Sequence, residues 1–116
     1  MPLIKVYTSA IVESDQQIIL LNQLSQQLAV QLSKPEAYVM TALESGMAMT
    51  FGGTSDPACY IEIKSIGILL PEQTKAMTTV FCGLIEQMLG VPRSRTYIEF
   101  TNAIGPMWGW NGDTFV

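Results

Sequence analysis

The chain of 116 residues contains no histidine. That absence removes the Ser-His-Asp triad, the Cys-His pair and the common His-rich zinc or iron sites within one chain. A base working near neutral pH must then be a carboxylate with a raised pKa, a lysine with a lowered one, or an α-amino group, whose reference pKa of about 7.7–8.0 already lies there. Cations are scarce too. Six Lys plus Arg stand against ten Asp plus Glu, the net charge is -4 and the pI about 4.5, and no basic patch is visible. A nucleic-acid partner is excluded on that ground, because phosphate contacts need clustered cations. The two cysteines, Cys59 and Cys82, sit in apolar surroundings at no zinc or redox spacing and read as buried free thiols rather than metal ligands. No run approaches the roughly 18 apolar residues of a membrane span, and no apolar stretch follows a basic N-terminus; the expectation is a cytoplasmic protein without a membrane partner. Charged residues are only 14% against 48% hydrophobic. So little polar surface for a small domain points to an oligomer that buries part of its exterior.

What is present begins at the first residues, "MPLIKVY". A small second residue favours removal of the initiator Met, which would leave Pro2 as a free secondary amine at the terminus. The length is that of a single domain, residues 1–116. Residues 2–7 alternate as a strand does. Ser14 and Gln17 stand at capping-box spacing, and Ile18, Leu21, Leu24, Leu28 and Leu32 follow as the apolar stripe of a helix that ends before Lys34-Pro35. Residues 38–45 read as a second strand, leading through Gly46 into "MAMTF", whose methionines, with Met40, read as core or interface filler.

The second half repeats this order. Residues 59–69 read as a strand, and Pro71 opens a helix carrying Met77, Val80, Phe81, Leu84, Ile85 and Met88 on one face. Gly90 and Pro92 end it, and 96–102 form the answering strand. Pro35 and Pro92, and Ile4 and Ile61, share one offset (92 − 35 = 57). Two strand-helix-strand units, each with parallel pairing and a right-handed crossover, make a four-stranded sheet with both helices on one face. The other face is expected to be apolar and uncovered, and oligomerisation is its simplest cover. The aromatic tail "MWGWNGDTFV" looks suited to docking on a neighbour.

The blocks "MPLIKVYT", "LSKPEAYV", "MTFGGTSDPA", "IKSIG", "CGLIEQMLGVPRSRTYIEF" and "GWNGDTF" together resemble, in order and spacing, the macrophage migration inhibitory factor and D-dopachrome tautomerase family of the tautomerase superfamily. The resemblance runs from Pro2 to Phe115. It implies an α+β two-layer sandwich of duplicated β-α-β units, with a four-stranded mixed sheet and two antiparallel helices on one face, assembled as a homotrimer whose sheets line a central barrel. It also implies a cofactor-free phenylpyruvate tautomerase, an isomerase acting on small aromatic 2-oxo acids, with active sites between subunits. Pro2, freed of Met1, would be the catalytic base and then the acid. Lys34 would bind the substrate carboxylate, with Ser65 and the Ile66 backbone amide beside it. Tyr97 would come from the neighbouring subunit, and Tyr38, Trp108 and Phe115 would form an apolar rim.

Three features depart from the family's familiar animal members. The Cys-x-x-Cys of some members is absent, since "DPACYI" contains only Cys59, which argues against thiol-disulfide chemistry. Glu99 stands where a pocket asparagine is usual; a carboxylate there would raise the proline's pKa or repel an anionic substrate. Trp108 stands at a position that is usually a smaller apolar residue, which bears on pocket size and aryl preference. A second class of function stays open beside catalysis: a trimeric, cytokine-type binding protein with an inherited proline pocket.

Overall fold

The computed structural model describes all residues from Met1 to Val116. The chain runs β1 (Leu3–Thr8), α1 (Ser14–Leu32), β2 (Met40–Glu44), β3 (Cys59–Ile66), α2 (Pro71–Leu89), β4 (Thr96–Ala103), β5 (Gly109–Trp110) and β6 (Asp113–Thr114). The main sheet has the order β2-β1-β3-β4. β1 pairs parallel with β2, and β3 parallel with β4, while β1 and β3 join the two units antiparallel. The duplication is exact in register for the helices: Ser14 and Pro71, like Leu32 and Leu89, are 57 apart (71 − 14 and 89 − 32).

The core lies between the helices and one face of the sheet. Alternate strand residues Ile4 and Val6 of β1, and Cys59, Ile61 and Ile63 of β3, point into it and meet Leu20, Leu24, Leu28, Met77, Phe81 and Ile85. Each fully buried side chain of this size contributes about 1.5–3 kcal/mol. The helical stripe of α1 is shifted from the expected one: Leu20 is fully buried and Ile18 is 60% exposed. The buried row therefore runs in steps of four, 20-24-28-32, and no residue of the first turn is buried.

The capping box at Ser14 does not form. Glu13 is the N-cap, without a side-chain bond, and the Gln17 amide turns back to donate to the Val12 carbonyl at 2.9 Å. At α2 the Leu70 N–H donates to Gln73 Oε1 at 2.9 Å, half of a capping box, because leucine has no acceptor to return. β2 and β3 are also shorter than the runs that announced them. β3 stops at Ile66, where Gly67 turns the chain at φ 100. Residues 36–38 form a 3-10 turn ahead of β2. Met40 and Met47 are exposed rather than filling the core.

The open face of the sheet is likewise not the apolar surface expected. Cross-strand rows place Tyr7 beside Tyr60 and Tyr97, and Lys5 beside Glu62 and Glu99. Tyr7 and Tyr60 stack at 5.7 Å, Lys5 lies 4.7 Å over the Tyr7 ring and 3.6 Å from Glu44, and Lys64 lies 3.5 Å from Glu62. The strands alternate, so the apolar impression came from the buried half of each.

Candidate active site

The site begins where α1 ends. Ser33 takes the left-handed conformation at φ 52, and its N–H and that of Lys34 donate to the carbonyls of Val30 and Ala29. This Schellman turn reverses the chain. Pro35 then prevents the helix from resuming. The Lys34 side chain crosses to the end of β3, where Nζ donates to Ser65 Oγ and to the Ile66 carbonyl, both at 2.9 Å. Ser65 is fully buried. The Ile66 group engaged here is its carbonyl, not the amide that the resemblance had brought forward.

Lys34 forms no ion pair. The chain's three are Lys5–Glu44, Lys64–Glu62 and Arg93–Glu86. Its ammonium is oriented by neutral oxygens only and has no acidic partner. It also faces the terminus: burial first, and the Lys34 charge second, hold the Met1 α-amine below its usual pKa. Pro2 is buried just behind, its carbonyl accepting from the Met40 N–H at 3.0 Å.

Next to Pro2 lies an open cleft of about 500 Å³ bounded by Ala37, Tyr38, Val39, Met40, Trp108 and Trp110. Its walls are mostly apolar, with Met1 among them, and the Lys34 charge acts on the amine of that residue. The tail that closes it packs on its own chain. β5 and β6 form a hairpin through Asn111 and Gly112, both at positive φ. Trp110 meets Tyr38 edge-on at 5.9 Å and stacks on Phe115 at 6.2 Å. The Phe115 N–H donates to the carbonyls of Gly105 and Trp108, both at 3.2 Å. A Cβ at Gly105 would stand 2.7 Å from the Phe115 carbonyl oxygen, so this docking requires glycine there.

Pro2, Lys34, Ser65, Ile66, Tyr38, Trp108 and, through Trp110, Phe115 thus gather at one end of the subunit. Tyr97 and Glu99 do not. Both belong to β4, at the opposite edge of the sheet from β2. Tyr97 is 65% exposed and its ring lies 4.9 Å from that of Phe51, while Glu99 accepts from the Tyr60 hydroxyl at 3.2 Å. Trp110 was missed as a wall residue, though the sequence carried the signal. "WGWNGD" contains an Asn-Gly turn, and residues two apart on a strand share a face, so the position of Trp108 implied that of Trp110. The thiols read as predicted: both cysteines are free and buried, and desolvation pushes Cys59 up to about 12, outside any nucleophilic role.

The macrophage migration inhibitory factor (MIF) family model matches residues 1–116. A macrophage migration inhibitory factor of Rattus norvegicus is 36% identical over 95 residues, 82% of this chain and 83% of the relative. A macrophage migration inhibitory factor homologue of known structure from Prochlorococcus marinus is 46% identical, with a TM-score of 0.93 over 98% of this chain and 99% of its own. The corresponding structure from Trichinella spiralis is 31% identical, with a TM-score of 0.89 over 97% and 99%. With a family model matched from end to end and the fold shared over nearly the whole chain, this chain belongs to the macrophage migration inhibitory factor family of the tautomerase superfamily.

Proposed function

We propose that the protein is a cofactor-free keto-enol tautomerase of phenylpyruvate-type 2-oxo acids, working as a homotrimer with Pro2 as its base once Met1 is removed. The observation that carries this reading is Lys34. It is an ammonium without an acidic partner, tethered to Ser65 and the Ile66 carbonyl beside a terminal amine and an apolar cleft. An anion next to an aryl group is the ligand that such a site complements.

In this mechanism the substrate carboxylate pairs with Lys34 and its aryl ring enters the cleft between Tyr38, Trp108 and Trp110. The neutral pyrrolidine nitrogen of Pro2 takes a proton from the carbon between ring and carbonyl. The C–H electron pair moves into the new C=C bond, and the carbonyl pair moves to oxygen. The pyrrolidinium then returns its proton to that oxygen, giving the enol, and the reverse order regenerates the keto acid. A neutral amine is essential. The environment that lowers the Met1 amine lies one Cα step, about 3.8 Å, from the Pro2 nitrogen, so the same burial and the same cation favour the neutral base. The trimer brings Tyr97 of a neighbouring subunit to the cleft, which accounts for its exposed ring.

The test is a comparison of processed and Met1-retaining protein, with processing established by intact mass and enolisation of phenylpyruvate followed by ultraviolet absorbance. General-base catalysis contributes about 10²–10⁴-fold. Retention of Met1 turns the Pro2 nitrogen into an amide, and activity should fall close to background with assembly unchanged. Pro2→Gly, which keeps an amine but loses the ring that aims it, should fall partway. Parental activity in the Met1-retaining form would remove the proline from the chemistry and leave a cytokine-type binding protein as the better account.

A further inference from the structure

The chain between β2 and β3, residues 45–58, has no regular structure beyond one turn; Thr8, Ser9 and Ala10 hold its two ends, and a single side chain gathers residues 51–57 between them. Arg95 Nε donates to the Pro57 carbonyl at 2.9 Å and Nη1 to that of Phe51 at 3.1 Å, while Nη2 donates to those of Thr54 at 3.3 Å and Asp56 at 2.9 Å. The guanidinium also lies 5.3 Å from the Phe51 ring centroid. Four neutral carbonyls therefore converge on one cation that forms no ion pair. The turn itself is tight: Phe51 and Thr54 exchange backbone bonds of 3.0 and 3.2 Å across Gly52 and Gly53, which sit at φ 60 and 79, where other residues are strained. Phe51, fixed by this clamp, is the ring that Tyr97 leans on at 4.9 Å. Arg95 stands only two residues before Tyr97 and closes the 3-10 turn that launches β4.

We infer that Arg95 is a positioning residue for Tyr97: its fork holds the 51–58 loop as a rigid wall, and Phe51 on that wall sets the angle of the Tyr97 ring. Lysine cannot do this, because one ammonium has three donors on a flexible stem and no planar fork to reach four carbonyls at once. The inference rests on the reading that Tyr97 completes a neighbouring subunit's pocket.

The experiment uses the processed trimer labelled with 3-fluorotyrosine, with the Tyr97 fluorine resonance among the four tyrosines assigned by its loss in Tyr97→Phe. In Arg95→Lys the Tyr97 resonance should broaden or split while the other three stay, and the mass in light scattering should not change. For phenylpyruvate enolisation kcat should fall by about 10-fold to 10²-fold, the scale of a misplaced catalytic group, with less effect on KM. Arg95→Lys/Tyr97→Phe should be no slower than Tyr97→Phe alone, because Arg95 acts through that phenol. A narrow, unmoved Tyr97 resonance, or losses that multiply in the double variant, would overturn the proposal. If Arg95→Lys does not fold, Phe51→Leu keeps the carbonyl clamp and removes only the ring; it should disturb the same resonance, and an undisturbed one overturns the proposal equally. Parental turnover by Tyr97→Phe also overturns it, and leaves the proline reading to the Met1 comparison. A processed parent that does not enolise phenylpyruvate refutes the proposed reaction, and the fluorine spectra still decide the role of Arg95.

Discussion

Single residues of this chain take their meaning from a partner or from the lack of one. Lys34 has two neutral acceptors and no carboxylate, and its charge helps hold the neighbouring terminal amine below the usual range. For a base, activity rises with pH as the amine loses its proton, so the lower the pKa, the further the active range extends toward acid. Lys34→Met removes one of the causes of the lowering. The alkaline-rising limb of kcat/KM for phenylpyruvate should then shift to higher pH and KM for the anion should increase, on the scale of one charge-assisted contact, about 10-fold or more. A pH-rate profile of the variant that coincides with the parent's would show that Lys34 does not act on the base. Glu99 is the opposite case, a carboxylate already engaged by the Tyr60 hydroxyl at 3.2 Å. If the trimer brings it near the base, Glu99→Gln should shift the same limb toward acid; an unchanged limb would place Glu99 outside the pocket's field.

At the scale of elements, the two repeats diverge at their helix C-termini. Ser33 and Gly90 occupy the same repeat position, and both are left-handed, at φ 52 and 71. The residues that follow them are Lys34, which reaches the site, and Val91, which is fully buried in the core. After Pro35 and Pro92 the two 3-10 turns end in Tyr38, a wall of the cleft, and Arg95, the loop clamp. One frame therefore yields the edge of the cleft in the first unit and a loop clamp in the second. The serine carries a cost that the glycine does not, because a left-handed L-residue is strained by about 1–2 kcal/mol, partly offset by the larger unfolded-state entropy of glycine. Ser33→Gly should raise stability by about 0.5–1 kcal/mol, and Ser33→Val, branched at Cβ, should lower it by more than that. Urea unfolding midpoints of the two variants check the sign, and a Ser33→Gly protein less stable than the parent would show that the serine has a role that its exposed side chain does not reveal.

For the whole molecule, the case for assembly rests on edges rather than on a face. The open face carries lysines, glutamates and tyrosines, but β2 and β4 are unpaired edge strands, which sheets normally cover or pair. Near the ends of β3 and β4, Ile68, Ile104 and Met107 are 81%, 70% and 75% exposed. A closed oligomer covers such edges and ends together. Light scattering at micromolar concentration should give about three times the chain's 12.8 kDa. A stable monomer would remove both the trimer and the contribution of Tyr97 to a shared site.

Much of this was legible in the sequence by itself. The absence of histidine narrowed the choice of base, the spacing of Leu24, Leu28 and Leu32 and the 57-residue repeat specified helices and fold, and the ordered blocks from Pro2 to Phe115 identified the family. These are properties of local period and chemistry, which a linear string records. Only the tertiary structure decided which neighbours each side chain meets: that Lys34 is tethered to Ser65, that the tail returns to its own chain through Phe115 and Gly105, that the open face alternates in charged rows, and that Arg95 gathers four carbonyls from residues 51–57. The capping box at Ser14 failed for a related reason: Glu13 is the N-cap, and the Gln17 N–H donates to the Glu13 carbonyl rather than to the Ser14 hydroxyl. Such contacts join residues that lie far apart in sequence or compete for one donor, and their outcome depends on distances that exist only once the chain has packed.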